Sequence, residues 1–491
     1  MLGCTSKESD SSSIKILYPA VKANLDPQKM EDAFSMAVVS QIYRGLLRYN
    51  SNGDVLPDLA ESWSEASDHL SYVFRLKRAT FSDGTPITAR HVQMTFARMF
   101  RLGASMAADI DYIAGARQFK TSQKIESFGV KAIDERTVEF RLEKPSAIFL
   151  KQLAVADCSI LPITDFTQDP EISERGAFSG PYKLITPAKG ATFTIEKWRT
   201  DPLDSKNPPR FISFTMADEN PIELALKGET DSLDHVAVPS AARAKLQAAG
   251  WESSPTELAG EVFVVLNPKV IPEPVRAVMY ASIDSAAILG NLNRTSYKAA
   301  YGLIPFGYPG ELEKEDVAAL KGQPIQPLKK KFVVQLDFES ASDFERGIVA
   351  ELKKTWGPLN IEIKENPLTK SAKLQRLFGK TCEAILGKKG TDYPDGFSVL
   401  GYFKGNYDSN YFFVNDPTID RSLLAVLQNF SATGREAEYK EIQKKILEHH
   451  TLIPLFFGSE ASGLWSRKIK FVPSHPLGSH TLPMETVEVG R

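Results

Sequence analysis

Alternating and continuous apolar runs recur along the whole chain and predict many short strands. Residues 71–76 alternate like a half-buried strand, whereas 261–267 form an almost unbroken apolar run between Gly260 and Pro268, typical of a buried strand. The predicted strands are 14–18, 71–76, 138–142, 182–186, 192–195, 261–267, 332–336, 361–363, 382–386 and 452–457.

Apolar residues at helical spacing predict helices between these strands. Residues 31–47 carry such a pattern, so a helix is expected to continue into Gly45-Leu46-Leu47. Thr88 is a suitable N-cap for a helix over 89–101, and Pro274 suits the first turn of a helix over 274–290. The other predicted helices are 342–355, 369–378 and 435–450.

The order of these elements indicates the class of fold. Strands and helices alternate between residues 332 and 386, which favours an α/β lobe built on a mixed sheet. Asn52-Gly53 is a strong hairpin signal between two apolar segments. We find no internal repeat.

Length and charge narrow the classes of function. The 491 residues exceed what one small core needs, so two or three lobes are expected. Lys and Arg total 59 against 61 Asp and Glu, and a net charge of -2 gives no field that attracts nucleic acid. No apolar run approaches the roughly 18 residues of a membrane-spanning helix.

The three cysteines fall into two groups. Cys158 and Cys382 leave one disulfide open as an alternative, but an odd total argues against a disulfide framework. Cys4 follows Met1-Leu2-Gly3, which is similar to the end of a lipobox, where the cysteine becomes acylated. The charged and apolar segments of a signal peptide do not precede it here, so an ordinary cysteine near a ragged terminus is the alternative. Residues 5–13 are polar and suit a flexible tether.

Several motifs resemble those of the family 5 solute-binding proteins, which include oligopeptide, dipeptide and nickel receptors of ABC importers. They lie in order along nearly the whole chain, at close to the usual spacing of the family. The matching segments are Gly45-Leu46-Leu47-Arg48-Tyr49, 56–63, 72–77, 81–89, Gly180-Pro181-Tyr182, 275–277 with Ile283-Asp284, Asp392-Tyr393-Pro394-Asp395, Arg435, Tyr439 and Ile453-Pro454-Leu455.

Three positions depart from the family pattern. Arg44 stands where the family usually has Glu, and Lys389 stands where it commonly has Trp, three residues before Asp392. Gly396 replaces a Pro that usually follows the second aspartate of the motif. The last two changes flank the expected ligand site, so they bear on the ligand more than on the fold.

The resemblance implies an α/β fold of the periplasmic-binding-protein type II class (cluster C), with two lobes that close on a ligand and an extra domain. Residues 1–13 would form the anchor cysteine and tether. Domain I would combine 14–43, 170–267 and 458–491, domain II would span 44–169, and domain III would span 268–457. The apolar strands 261–267 and 452–457 flank the third domain and are candidate hinge crossings.

The resemblance also implies a ligand site. In peptide-binding members the first aspartate of the motif holds the amino terminus of the ligand, and that position here is Asp392, with Tyr393 beside it. Backbone groups of 387–391, among them Lys389, Gly390 and Thr391, would pair with an extended peptide. The alternative for Asp392 is a turn cap. Glu31 matches an acidic ligand-facing position, with a solvated helix residue as its alternative.

Other chemistries have little support in the sequence. Lys388 and Lys389 are candidates to bind a ligand carboxylate, although exposed lysines are rarely specific. The segment 387–391 is similar to a phosphate loop but lacks its spacing. The seven histidines show no metal-ligand spacing, and no Gly-x-Ser-x-Gly elbow occurs. We therefore predict no catalytic residue, no metal site and no cofactor.

The sequence thus predicts a monomeric lipoprotein, anchored through Cys4 in the periplasm or on the outer face of the membrane. It would capture peptides or peptide-like small molecules and deliver them to the permease subunits of an ABC importer, with no nucleic-acid partner. A receptor for nickel chelates or another small solute is the alternative within this fold. A hydrolase on a binding-protein scaffold, and a surface sensor or chaperone without transport, are alternatives of other classes.

Overall fold

The chain folds into two compact units, Met1–Thr256 with Glu460–Arg491 and Glu257–Ser459. This architecture is taken from a computed structural model. The structure describes residues 12–18, 23–30, 32–167, 176–187, 192–216, 220–233, 238, 240–253, 260–294, 296–321, 325–405, 410–458, 463–473, 477 and 482–490.

The first unit contains strands from both ends of the chain. Its strands are β1 (Ser13–Tyr18), β2 (Leu47–Tyr49), β3 (Val55–Pro57), β4 (Ala60–Glu65), β5 (Ser71–Leu76), β6 (Val130–Ala132), β7 (Thr137–Arg141), β8 (Tyr182–Leu184), β9 (Thr192–Lys197), β10 (Phe211–Met216), β11 (Ser232–Leu233), β12 (Glu252–Ser253), β19 (Leu464–Trp465), β20 (Ile469–Phe471) and β21 (Glu488–Val489). Its helices are α1 (Ala33–Ile42), α2 (Ala89–Leu102), α3 (Ser105–Asp109), α4 (Ala116–Ser122), α5 (Phe149–Leu153), α6 (Pro221–Leu226) and α7 (Ser240–Ala248).

A seven-stranded mixed sheet forms the centre of the first unit, in the order β12-β19-β11-β1-β10-β9-β8. β1 runs parallel to β10, and β10 runs antiparallel to β9. Phe34 of α1 packs on this sheet against Phe193, whose ring stacks on that of Phe214 at 5.3 Å between centroids. Burial of these large rings stabilises the sheet from one face.

A second sheet in the first unit has the order β4-β5-β7-β6, and α2 packs against its strands. Thr88 begins α2 as predicted, because its backbone N–H lies 3.2 Å from His91 Nδ1 and its hydroxyl 2.9 Å from the same atom. This reciprocal contact supplies a partner to a backbone N–H that the helix leaves unpaired.

Arg44 lies in a buried cluster of charges in the first unit. Its guanidinium bonds to the Glu485 carboxylate, and its Nε lies 3.4 Å from Asp58 Oδ2. Burial raises the pKa of both carboxyl groups, although the nearby guanidinium charge lowers it. A cation at position 44 is therefore required by these two carboxylates, which gives a physical reason for this departure from the family pattern.

The second unit is formed by one continuous stretch of chain. Its strands are β13 (Glu261–Leu266), β14 (Tyr297–Ala299), β15 (Phe332–Glu339), β16 (Ile361–Leu368), β17 (Ala384–Lys389) and β18 (Leu452–Gly458). Its helices are α8 (Glu273–Ala281), α9 (Ser285–Leu292), α10 (Asp343–Trp356), α11 (Lys370–Phe378), α12 (Phe397–Leu400), α13 (Pro417–Leu427) and α14 (Ala432–Leu447).

These strands form a mixed sheet in the order β14-β18-β13-β17-β15-β16. β13 and β18 are adjacent, antiparallel and buried at every residue, as their apolar runs predicted. β15 pairs in parallel with β16 and β17. The mixed sheet predicted for this part of the chain is thus confirmed, while a hinge role for β13 and β18 stays a prediction.

The prediction that a helix would continue to residue 47 is wrong. α1 ends at Ile42, and Tyr43 has extended backbone angles of φ −124° and ψ 158°. Leu46 is still buried, and its carbonyl accepts from the backbone N–H groups of Asp58 and Ala60. Apolar spacing could not reveal this, since either structure buries Leu46.

The helix predicted over 274–290 is two helices, α8 and α9. The Asp284 carboxylate accepts a hydrogen bond of 3.0 Å from the backbone N–H of Ala287 and so caps a new helix. Ile283 is buried between them and continues the apolar pattern. The pattern alone therefore concealed the break.

Three predictions about the whole chain can be compared with this architecture. Cys158 and Cys382 are both buried free thiols, so the disulfide left open by the sequence is absent between these two described residues. In the part of the chain that the structure describes, no helix is both long and apolar enough to cross a bilayer. The boundaries of the three predicted domains stay a prediction.

Candidate functional site

The predicted site lies where β17 leaves the sheet of the second unit. Lys389 is the last residue of β17, and Gly390, Thr391, Asp392 and Tyr393 follow in a loop. Thr391 and Tyr393 are buried, whereas Asp392 is exposed. The loop therefore presents one carboxylate to solvent between two side chains that anchor it.

Asp392 is held at both its backbone and its carboxylate. Its N–H donates to Ser398 Oγ at 2.8 Å, and the Tyr402 hydroxyl donates to Asp392 Oδ2 at 2.8 Å. The carboxylate thus accepts a bond from a side chain. These two bonds orient an exposed anion, which is the arrangement that recognition of a cation requires.

The second aspartate of the motif has a different environment. Asp395 is fully buried, and its Oδ1 accepts from the Tyr439 hydroxyl at 2.5 Å and from the backbone N–H of Phe397 at 3.0 Å. This residue secures the turn into α12. Asp395 thus has a turn role of its own, while the ligand and turn-cap roles of Asp392 both stay predictions.

Tyrosine hydroxyls border the loop. Tyr308 Oη lies 3.2 Å from Thr391 Oγ1, and burial raises the pKa of Tyr308 to about 12, with the Asp392 charge adding to the rise. Burial also raises the pKa of Tyr411, and the charges of Glu261 and Asp392 act in the same direction. Both hydroxyls therefore remain protonated at neutral pH and can donate hydrogen bonds.

Lys389 and Glu261 face each other across β17 and β13. Glu261 is 4% exposed, and among the described residues its Oε1 has no hydrogen-bond partner. Burial raises the pKa of Glu261 well above its usual range, although the Lys389 charge lowers it. Lys389 Nζ lies 2.8 Å from the centroid of the Tyr402 ring. A buried glutamate and the lysine opposite it in the sheet thus lie beside the loop that carries Asp392.

The difference in stability between Glu261→Gln and wild type should shift in favour of the variant as pH rises. The raised pKa means that the stabilising contribution of Glu261 is complete below about pH 4.3, the usual value for glutamate, and is lost as pH rises through the folded-state pKa. The glutamine side chain does not titrate, so the variant does not lose stability in this way. Melting temperatures of both proteins between pH 4 and 8 measure the effect, and a difference that does not grow with pH would contradict it.

Lys388 points to the opposite face of the sheet. Its Nζ lies 3.6 Å from Glu345 Oε1 and 5.6 Å from the centroid of the Phe344 ring, both on α10. Consecutive strand residues face opposite sides of a sheet, so Lys388 and Lys389 contact different groups. Of the two lysines, only Lys389 lies beside the tyrosine that bonds to Asp392.

Close packing explains two glycines near the loop. A Cβ on Gly387 would lie 2.1 Å from the Phe263 ring. A Cβ on Gly396 would lie 2.6 Å from Ile304 Cδ1 and 2.9 Å from the carbonyl oxygen of Pro309. No larger residue fits at position 396 without a shift of its neighbours, which accounts for this departure from the family pattern.

The other two predicted sites, Glu31 and Cys4, lie outside the described residues. The segment that precedes Glu31 is nevertheless well anchored in the first unit. The fully buried Arg98 donates to both oxygens of Asp26, at 3.2 and 2.6 Å, and to Gln28 Oε1 at 2.7 Å. Residues 23–30 are thus fixed by α2.

Sequence reasoning missed several residues that shape the site. Glu261 carried a detectable signal, because a charged residue at the start of a buried strand needs a partner. Ser398 and Tyr402 carried none, since their contacts with Asp392 depend on how the chain turns after β17. Within the described ranges, no three His, Cys, Asp or Glu residues cluster so that they could hold a metal ion.

The sequence is similar to a known protein family and to known binding proteins. The family model of bacterial extracellular solute-binding proteins, family 5 Middle, matches residues 54–411. A probable D,D-dipeptide-binding periplasmic protein of Escherichia coli K12 is 24% identical over 465 residues, covering 88% of this chain and 86% of the relative.

Known structures share the fold over almost the whole chain. Haemophilus influenzae OppA in complex with RPPGFSPFR has 18% identity and a TM-score of 0.78, with 98% of this chain and 99% of that chain covered. The binding protein AgaA of A. tumefaciens R10 in complex with agropinic acid has 20% identity and a TM-score of 0.75, with 98% and 99% covered. The expected type II α/β fold is therefore confirmed.

Proposed function

Because the chain belongs to family 5 of the bacterial extracellular solute-binding proteins, we propose that it captures peptides outside the cytoplasm and delivers them to an ABC importer. Relatives along most of its length are named for binding dipeptides and oligopeptides. These names describe binding, and we propose no reaction for this chain. Release of the ligand unchanged would distinguish a receptor from a hydrolase on the same scaffold.

The observation that carries the proposal is the exposed carboxylate of Asp392. The Tyr402 hydroxyl fixes its direction, and Ser398 fixes its backbone. An ammonium group would complete the remaining hydrogen bonds of this anion, and every peptide with an unmodified amino terminus has one. Backbone groups of Lys389 and Gly390 beside it would pair with the peptide, as in strand addition.

A receptor for a small non-peptide solute is the second candidate, because two residues beside Asp392 differ from the family pattern. Lys389 replaces a large aromatic side chain, and Gly396 leaves no room for a ring. The structurally similar AgaA binds agropinic acid, so the fold itself admits such ligands. A nickel chelate falls in the same class.

The anchor and the domain arrangement complete the proposal. Cys4 would carry a lipid, and residues 5–13 would tether the folded body in the periplasm or at the outer face of the membrane. Domain I (14–43, 170–267 and 458–491) and domain III (268–457) would close on the ligand, with Glu31 and Asp392 contributing one from each. Domain II (44–169) would be the extra domain, which the separate sheet β4-β5-β7-β6 supports.

Native mass spectrometry of residues 14–491, purified from bacterial cells, tests the function. We expect the protein to carry extra mass that denaturation releases as a set of peptides, because a closed receptor dissociates its ligand slowly. Fragmentation of the released material gives length and sequence. A protein that stays ligand-free after incubation with a mixed peptide library would contradict the peptide function and favour a small solute.

A further inference from the structure

A continuous line of contacts leads from the interior of the second unit to the exposed carboxylate. Lys389 Nζ lies 2.8 Å from the centroid of the Tyr402 ring, and the hydroxyl of that ring donates to Asp392 Oδ2 at 2.8 Å. Lys389 and Asp392 thus act on opposite parts of one side chain, the ring face and the hydroxyl.

The sheet register places Lys389 in this position. Residues opposite each other in an antiparallel pair share a face, so Lys389 lies on the same face as Glu261. Two residues earlier in β17, Gly387 has no side chain, and the Phe263 ring occupies that space. The Phe412 ring packs on the same face, with its centroid 5.5 Å from that of Phe263. From this face the side chain of Lys389 extends to the ring of Tyr402.

A cation over the face of a phenol ring is attracted to its π electrons and draws charge from the ring. The hydroxyl of such a ring becomes a stronger donor, and hydrogen bonds in a chain polarise one another. The geometry points to Lys389 as a positioning residue for the ligand: it holds Tyr402 and strengthens the hydrogen bond that orients Asp392 toward the amino terminus of a peptide. This inference rests on the proposed function and assigns a role to the lysine that replaces the tryptophan of the family.

One effect opposes this role. The Lys389 ammonium carries the same charge as the amino terminus of a peptide, and like charges repel. The two effects predict opposite signs for the loss of Lys389. If positioning dominates, Lys389→Met weakens binding, and if repulsion dominates, the same change strengthens it. The sign of the effect therefore decides between them.

A double-mutant cycle separates action through Tyr402 from any other action of Lys389. We expect Lys389→Met to lower affinity about tenfold, the scale of a desolvated cation–π contact. In a Tyr402→Phe background the same change should cost less than about twofold, because the hydroxyl that it acts through is gone. Lys389→Arg, which also places a cation over the ring, should recover most of the affinity.

Lys298→Met is the matched control. Lys298 belongs to the edge strand β14, and its Nζ also lies over an aromatic ring, 3.4 Å from the centroid of Phe306. The substitution should leave affinity unchanged. The probe is an equimolar library of dipeptides to pentapeptides with free amino termini, with binding measured by native mass spectrometry and then by calorimetry on the tightest member. Melting temperatures of all variants show whether each one remains folded.

A readout without ligand keeps the inference separate from the proposed function. Carbon-13 at Cζ of the 15 tyrosines gives few resonances, and Tyr402→Phe identifies the one from Tyr402. Lys389→Met and Asp392→Asn should each shift that resonance, since the first removes the cation over the ring and the second removes the negative charge beside the hydroxyl.

The outcomes are distinct. A shifted resonance together with the expected cycle supports the inference. An unshifted resonance, a gain of affinity in Lys389→Met, or an equal loss in the Tyr402→Phe background overturns it while leaving the peptide function intact. If the wild-type protein binds no member of the library, the peptide function fails, and the role of Lys389 toward a peptide fails with it.

Discussion

Asp392→Asn should weaken the binding of peptides with a free amino terminus by about 2 kcal/mol or more, roughly thirtyfold in Kd. The asparagine side chain has nearly the same shape and can still accept a hydrogen bond from Tyr402. What it lacks is the negative charge that faces the ligand ammonium. Calorimetric titration with a peptide released from the purified protein, or with the tightest member of a peptide library, measures the difference.

Two controls make this result specific. Glu362→Gln removes a carboxylate from the half-exposed pair with Lys331 on the same unit and should leave affinity unchanged. Peptides with an acetylated amino terminus lack the ammonium, so wild type and Asp392→Asn should bind them equally. An unchanged affinity of Asp392→Asn for free peptides would remove Asp392 from the ligand site.

Arg44→Met should cost about 3–5 kcal/mol of the free energy of unfolding, the scale for removing one partner from a buried ion pair. The Glu485 side chain is fully buried, and Asp58 is 8% exposed. Methionine fills much of the volume of the arginine but supplies no donor to either carboxylate. Urea unfolding followed by circular dichroism should show a lower midpoint for the variant.

Arg75→Met is the matched control for this change, because Arg75 is 61% exposed and its Nε lies 3.7 Å from Glu61 Oε2. An exposed pair of this kind contributes at most about 1 kcal/mol. Arg44→Met combined with Glu485→Gln should recover part of the loss, since the glutamine no longer carries a buried charge. Equal midpoints for Arg44→Met and Arg75→Met would contradict a structural role for the cluster.

The ten predicted strands all coincide with observed strands because their signal is local, whereas others, such as β4 and β10, were not predicted. Residues 261–266 are buried on both faces, and an unbroken apolar run is what such a strand requires. Helix ends were predicted less well. Leu46 and Ile283 continue the apolar spacing although the helices have already ended, because burial alone does not distinguish a helix from the structure that follows it.

The site was predicted in part. Asp392 and its neighbours along the chain were named through the family motif, and they lie together because they are consecutive. Glu261 lies beside Lys389 only through pairing of β13 with β17, and Tyr402 reaches Asp392 only after the chain turns through α12. Contacts of this kind depend on sheet register and loop path, which one sequence without its structure does not specify.

The pairing of β13 with β18 also brings the two ends of the second unit together. The backbone N–H of Gly458 donates to the carbonyl of Gly260 at 2.8 Å, so the first and last described residues of this unit lie one hydrogen bond apart. All the described contacts of Asp392 lie on the single stretch 260–458. Two cuts would therefore release one uninterrupted polypeptide with adjoining ends, suited to head-to-tail cyclisation or to isotope labelling of that segment alone.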